Sequence, residues 1–304
     1  SGNDSNDGKS ESKPWKTINK VNNVTFSSGD QILFKRNTIC QGTLTPKVGN
    51  VTFSAYDSGE NPVINANGAW LAVYINNKSN LIIDNLTLKN AGNAGYTSIS
   101  AGIGLLNTNN TILRNLKVID NYGISGIYFL SQNSSSGNNN LVENCQVSNT
   151  RGTSAYPLAG GINFYGENPA YGTGNRVINN KVFGNRGNGI SLNSASNIIS
   201  GNEVYDNGYH GIGLGVGASS NTISRNLVYE NCSQQDDCFG INLYRVGNNN
   251  IVSYNMVFNQ KIITGGNFGS GAIRFDGGDG TDGVDYTATS GNKAYYNIAY
   301  DNYK

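Results

Sequence analysis

Apolar and polar residues alternate in short runs along most of the chain, and asparagine and glycine cut the runs at regular intervals. The pattern is clearest between Asn175 and Arg245. There VINNKVFGN-RGN-GISLN (from Val177), IISGNEVYDN-GYH-GIGLG (from Ile198) and TISRNLVYEN…FGINLYR (from Thr222) restate one phrase. Asn180, Asn202 and Asn226 share a column at spacings of 22 and 24 residues, and Gly189, Gly211 and Gly240 share another at 22 and 29. A self-similar period of this size predicts a solenoid, and two alternating runs per copy predict strands joined by turns. Alternation sends Val182, Val204, Val228, Val257 and the Ile/Leu pairs of each G-I-x-L strand inward. The fold expected is all-β: a right-handed single-stranded parallel β-helix of about ten coils. Its coils start near Gly29, Asn50, Asn80, Asn110, Asn140, Asn175, Asn197, Asn221, Asn250 and Asn292. The asparagine column, extended to Asn85, Asn115, Asn144, Asn255 and Asn297, predicts a ladder of stacked side-chain amides.

The whole chain, 1–304, is expected to be one domain. Residues 1–13 read as a flexible leader on a mature or trimmed terminus. Trp15, Ile18 and Val21 recur at three-residue spacing, which predicts a short amphipathic helix over 14–22. Such a helix would cap the unpaired strand edges of the first coil.

Charged residues make up only 13% of the chain and the net charge is +1, so no field favours nucleic acid or a membrane surface. No segment is long and apolar enough to span a bilayer. Forty glycines would fit disorder, but an aromatic content of 10% and the placed Ile, Val and Leu do not. Cys232 and Cys238 flank one loop and could close it in an oxidising compartment. Cys40 and Cys145 fall about four coils apart, roughly 19 Å, and read as free thiols.

Turn lengths carry information about function. Three residues separate Asn185 from Gly189 and Asn207 from Gly211, but eleven separate Asn149 from Gly161, eight Asn231 from Gly240 and eleven Asn259 from Gly271. Long loops on coils five, eight and nine would flank a low saddle on coils six and seven, a shape suited to a polymer. Facing that saddle, one outward column reads Gly104, Tyr128, Asn163, Ser191, Gly213, Asn242, Arg274, and the next Leu106, Leu130, Tyr165, Asn193, Gly215, Tyr244, Asp276. Arg186, Arg245 and His210 lie beside it. Asn, Tyr, Arg and His hydrogen-bond sugar hydroxyls and pair with carboxylates. Single outward Asn or Ser residues are common on any β-helix; their clustering is the signal. His210, the only histidine, is either a turn residue bonded to a neighbouring loop or the acid/base group of the site. A second outward column, Phe183, Tyr205, Tyr229, Phe258 and Tyr300, reads as a structural aromatic stack or a sugar platform. Asp276, Asp279 and Asp282 lie in one G-G-x-G-x-D match, either an acidic turn or a calcium site.

Three successive coils resemble the β-helical polyuronate-modifying enzymes, the mannuronan C-5 epimerases and the alginate lyases that share their fold. The opening GNDSNDGKSESKPWKTI and GDQILFKRNT are similar to the entry of many secreted bacterial β-helix enzymes. The site resemblance rests on Gly161-Ile162-Asn163-Phe164-Tyr165, then Asn193, then Asp206-Asn207-Gly208-Tyr209-His210-Gly211. Where the epimerase pattern has Asp and His on the first strand and Asp on the second, this chain has Asn163, Tyr165 and Asn193. The departures point from epimerisation to elimination. The resemblance implies a secreted, monomeric polysaccharide lyase acting on an acidic polyuronate such as alginate, with no required cofactor beyond a possible calcium ion. Catalytic candidates are Tyr165, His210 and Asn163, with Asn193, Arg186, Asn242, Tyr244, Arg245, Arg274 and Tyr128 binding substrate. In the mechanism expected, Asn163 with Arg245 or Arg274 offsets the uronate carboxylate, while Tyr165 or His210 moves the C5 proton. The rivals are an epimerase, a carbohydrate-binding solenoid and a glycoside hydrolase, which needs paired carboxylates; the outward columns hold only Asp276, and Glu167, Asp236 and Asp237 could approach only if their loops fold inward.

Overall fold

A computed structural model describes residues 2–96, 100–154, 159–234, 237–261, 270–276 and 290–302. Among the described residues coils two to nine each give one strand to each of three parallel sheets, and the first and last coils give one to each of the first two. The first sheet runs from Gln31–Lys35 to Lys293–Tyr295 and the second from Ile39–Gln41 to Ile298–Tyr300, with ten strands each among the described residues. The third has eight, from Leu71–Asn76 to Gly271–Asp276. The result is a right-handed parallel β-helix, and all ten expected coil starts precede a strand of the first sheet. Inside, one column of aliphatic side chains per sheet forms a continuous core: Val182, Val204, Val228 and Val257 are fully buried, with Ile190, Ile212 and Ile241.

Polar ladders hold the corners. Asn180, Asn202, Asn226, Asn255 and Asn297 stack coil on coil. Asn202 Oδ1 accepts from the Asn180 backbone N–H at 2.9 Å and from its amide at 3.0 Å, while Asn202 Nδ2 donates to Val177 O and Asn226 Oδ1. Two further ladders occupy the other corners: Asn140, Asn175, Asn197, Asn221, Asn250 and Asn292, then Asn185, Asn207, Asn231 and Gln260. Asn85, Asn115 and Asn144 do not join the expected column. They sit one residue earlier, at φ of 55°, 52° and 53°, the left-handed turn position that Asn179 also fills. Leu86, Leu116 and Cys145 take the ladder slot on those coils, buried against the core. The glycine column has a steric cause. A Cβ on Gly189 or Gly211 would collide with Val204 or Val228 Cγ1 and lie 2.6 Å from the next coil's glycine carbonyl oxygen.

At the N-terminus the helix is Ile18–Asn23, capped by Thr17, whose hydroxyl accepts from the Lys20 N–H; Ile18 and Val21 close the first coil. Trp15 precedes the helix and packs on the core from outside it. Residues 2–13 depart from the flexible leader expected. They fold back as a loop: Trp15 Nε1 donates to Asn6 O at 2.8 Å, and Asp4 accepts from the backbone of Lys16 and Thr17. Cys232 and Cys238 are disulfide-bonded, Cys40 and Cys145 are free, and burial pushes the Cys145 thiol up to about 12. On the second sheet Phe183, Tyr205, Tyr229, Phe258 and Tyr300 stack face to face at 4.8–5.1 Å. Their faces cover one another, so the column is a structural stack rather than a sugar platform. Lys181 and Glu203 pair at 3.3 Å on the same sheet, away from the saddle. No helix among the described residues is long and apolar enough to cross a membrane.

Candidate active site

The third sheet carries the functional surface. Asn163, Ser191, Gly213, Asn242 and Arg274 are successive partners across five neighbouring strands. A cavity of about 480 Å³ opens over them, lined also by Tyr165, Asn188, Asn193, Tyr209, His210, Gly215, Asp237 and Tyr244. Gly213 and Gly215, which carry no side chain, line it on one of the two coils expected to form the saddle.

At one end Tyr165 is 44% exposed, and Asn163 stands two residues before it on the same strand. Among the described residues neither the Asn163 side chain nor that of its cross-strand neighbour Ser191 has a hydrogen-bond partner, and Asn188 Oδ1 is buried with none. Asn193 is committed elsewhere. Its amide accepts from Gly166 N–H at 2.8 Å and donates to Gly166 O at 3.0 Å. It therefore fixes the strand that presents Tyr165 instead of reaching for substrate, which corrects its expected role.

The other end is a closed network. His210 is only 4% exposed and stacks under Tyr209. Its Nδ1 accepts from the Phe239 N–H at 3.0 Å, so the neutral ring carries its proton on Nε2, 2.8 Å from Asn242 Nδ2. Arg274 Nε donates to Asn242 Oδ1 at 2.9 Å. Either orientation of the Asn242 amide sets one N–H against another, so this end holds more donors than acceptors. Burial first, and the Arg274 charge second, push His210 down to about 3. With one nitrogen accepting and the other protonated, the neutral His210 ring presents no free lone pair in this arrangement, which favours Tyr165 over His210 as the base.

That depression fixes a stability effect. The unfolded histidine titrates at 6.5 and the folded one near 3, so below 6.5 the unfolded state binds the extra proton. The stability contribution is intact above that pH and is lost as pH falls toward the folded value, at about 1.4 kcal/mol per pH unit. Urea titrations of wild type and His210→Gln between neutrality and moderate acid should show a shallower loss in the variant; parallel curves would contradict the neutral assignment.

Arg274 stacks over Phe239 at 4.4 Å and its guanidinium is gripped by Asp237, with Asp276 Oδ2 at 3.7 Å. Asp237 reaches this wall because its loop folds inward, the condition on which the sequence made it a candidate carboxylate. It precedes Cys238, and the disulfide to Cys232 brings the end of that loop against the Phe239–Tyr244 strand; this proximity was the available signal. Asn188 and Tyr209 were missed.

The remaining candidates divide. Tyr244 lines the cavity at 36% exposure, and Arg245 lies over its ring at 5.0 Å, outside the lining. Arg186 is exposed on its turn and Tyr128 is buried with Leu71 and Ala101 in a separate cluster; neither reaches the cavity, contrary to expectation. Arg274 and Asn163 stand four strands apart, about 19 Å at the strand spacing, so they do not share one carboxylate as first expected. Of the calcium candidates, Asp279 and Asp282 lie outside the described residues. Asp276 faces the Arg274 cation, which does not fit a calcium ligand, and no group of three or more His, Cys, Asp or Glu gathers among the described residues.

No protein-family model and no curated protein matches this chain. Solved structures do. A GH136 lacto-N-biosidase from Eubacterium ramulus is 16% identical over 99% of this chain and 66% of its own, with a TM-score of 0.69. This chain thus spans just under two thirds of that protein's length. A rhamnogalacturonan lyase is 16% identical over 91% and 87%, with a TM-score of 0.64. The periplasmic alginate epimerase AlgG is 16% identical over 89% and 60%, with a TM-score of 0.59. The neighbours are thus β-helix polysaccharide lyases, an epimerase and a glycosidase, and the shared property is the fold.

Proposed function

We propose that this protein is a secreted, carbohydrate-active enzyme that cleaves a uronate-containing polysaccharide by β-elimination in the saddle of its third sheet. The observation that carries the reading is the cluster at Tyr165: an exposed phenol beside the uncommitted polar groups of Asn163, Asn188 and Ser191. The Asn163 and Asn188 amides and the Ser191 hydroxyl hydrogen-bond the uronate carboxylate and stabilise charge that develops as C5 loses its proton. Tyr165 Oη conveys that proton to the departing O4, the C4–O4 bond breaks and a C4–C5 double bond forms. Tyr209 and Tyr244 add ring faces of the kind that pack on sugars. His210 positions Asn242 and takes no proton.

One observation favours a second reading, a glycoside hydrolase. Asp237 Oδ2 and Asp276 Oδ2 lie 3.4 and 3.7 Å from the same Arg274 nitrogen, which holds them within about 7 Å of each other, in the range of a hydrolytic pair. Incubation with alginate, polygalacturonate and rhamnogalacturonan separates the readings. Elimination gives the ultraviolet band of an unsaturated uronate on at least one of them. Reducing ends without that band would transfer the assignment to Asp237 and Asp276.

A further inference from the structure

The two ends of the cavity differ in charge, and the difference specifies the order of sugars in the substrate. Around Tyr165 the lining is neutral: Asn163, Asn188, Ser191, Gly213 and Gly215. Three to four strands further along, about 14–19 Å at the strand spacing, the wall is built from Asp237 and Arg274 on buried His210 and Asn242. Among the described residues Arg274 is the only cation in the lining, and its guanidinium is already shared by two carboxylates, Asp237 and Asp276. Asp237 remains a third exposed toward the cavity. A uronate carboxylate placed against this wall meets a fixed negative charge with no uncommitted cation in the lining to offset it. A neutral sugar meets a carboxylate that accepts from its hydroxyls and a donor-rich network that its hydroxyl oxygens can satisfy.

We infer that the Asp237–Arg274 wall is a specificity subsite for a neutral sugar, so the preferred substrate is a heteropolysaccharide that carries neutral residues among its uronates, not a homopolyuronate. The inference rests on the elimination reading only in placing the uronate at Tyr165. Asp237 is the discriminating group, and Asn242, held between His210 and Arg274, sets the position of Arg274 and through it of Asp237.

Calorimetric binding to Tyr165→Phe tests the order of sugars without depending on turnover. The probes are an alternating rhamnogalacturonan hexasaccharide and two homouronate hexasaccharides, oligogalacturonate and oligomannuronate. The alternating probe is expected to bind at least tenfold more tightly, and adding Asp237→Asn is expected to reduce that ratio several-fold by admitting the homouronates. Glu203→Gln, which removes a carboxylate on the second sheet away from the saddle and leaves the wall intact, is expected to preserve the preference and serves as the control. Equal or tighter binding of the homouronates, no binding of any probe, or a ratio unmoved by Asp237→Asn would each overturn the inference. Failure of the elimination reading appears separately, as cleavage without the unsaturated product, and leaves the binding ratio readable.

Discussion

Tyr165→Phe is expected to abolish nearly all cleavage, lowering kcat by about 10²–10⁴-fold while changing KM little. The substitution removes one oxygen from a side chain that is 44% exposed, so folding and ring packing against sugar are retained. Phe164 beside it points inward and is stacked on Phe129 at 4.1 Å, and Asn193 clamps Gly166 after it, so the backbone presenting residue 165 is held from both sides. Steady-state kinetics of the purified variant, followed by product absorbance, checks the prediction. Turnover within a few-fold of wild type would remove Tyr165 from the chemistry.

The second large effect is structural. Asn202→Leu is expected to destabilise the protein by about 3–5 kcal/mol, because it removes the acceptor of the Asn180 N–H and amide and the donor to Val177 O and Asn226 Oδ1. Leucine as such fits the slot: Leu86 and Leu116 occupy it on earlier coils. The cost comes from interrupting a ladder whose neighbours are buried and polar, each unpaired group costing about 1–3 kcal/mol. Chemical denaturation of the variant measures it; a change under 1 kcal/mol would mean that water or backbone shifts satisfy the orphaned groups.

The architecture was legible in the sequence because a solenoid writes its core as columns. The inward valines, the glycine column and both outward columns of the third sheet occupy the positions that alternation assigns. The asparagines show where that reading fails. A left-handed turn residue and a ladder residue are adjacent, and Asn179-Asn180 fills both places with one letter, so Asn85, Asn115 and Asn144 were put in the wrong column. At the site, facing was legible and commitment was not. Asn193 and Asn163 look alike in sequence, yet one is bound to Gly166 and the other is open. His210 lies at the saddle as its position implied, but both its nitrogens already have contacts, which no sequence pattern reveals. Asp237 came from a loop whose path depends on a disulfide and an arginine four coils from Tyr165, a contact that no local pattern encodes.

Cleavage in heavy-oxygen water tests the central claim most directly. A defined uronate-containing oligosaccharide is digested by the wild-type protein and the two products are weighed by mass spectrometry. Elimination consumes no water, so the product masses should sum to that of the substrate, with no label in either and the unsaturated ring on one. One heavy oxygen per bond cleaved, and no unsaturated end, would contradict elimination.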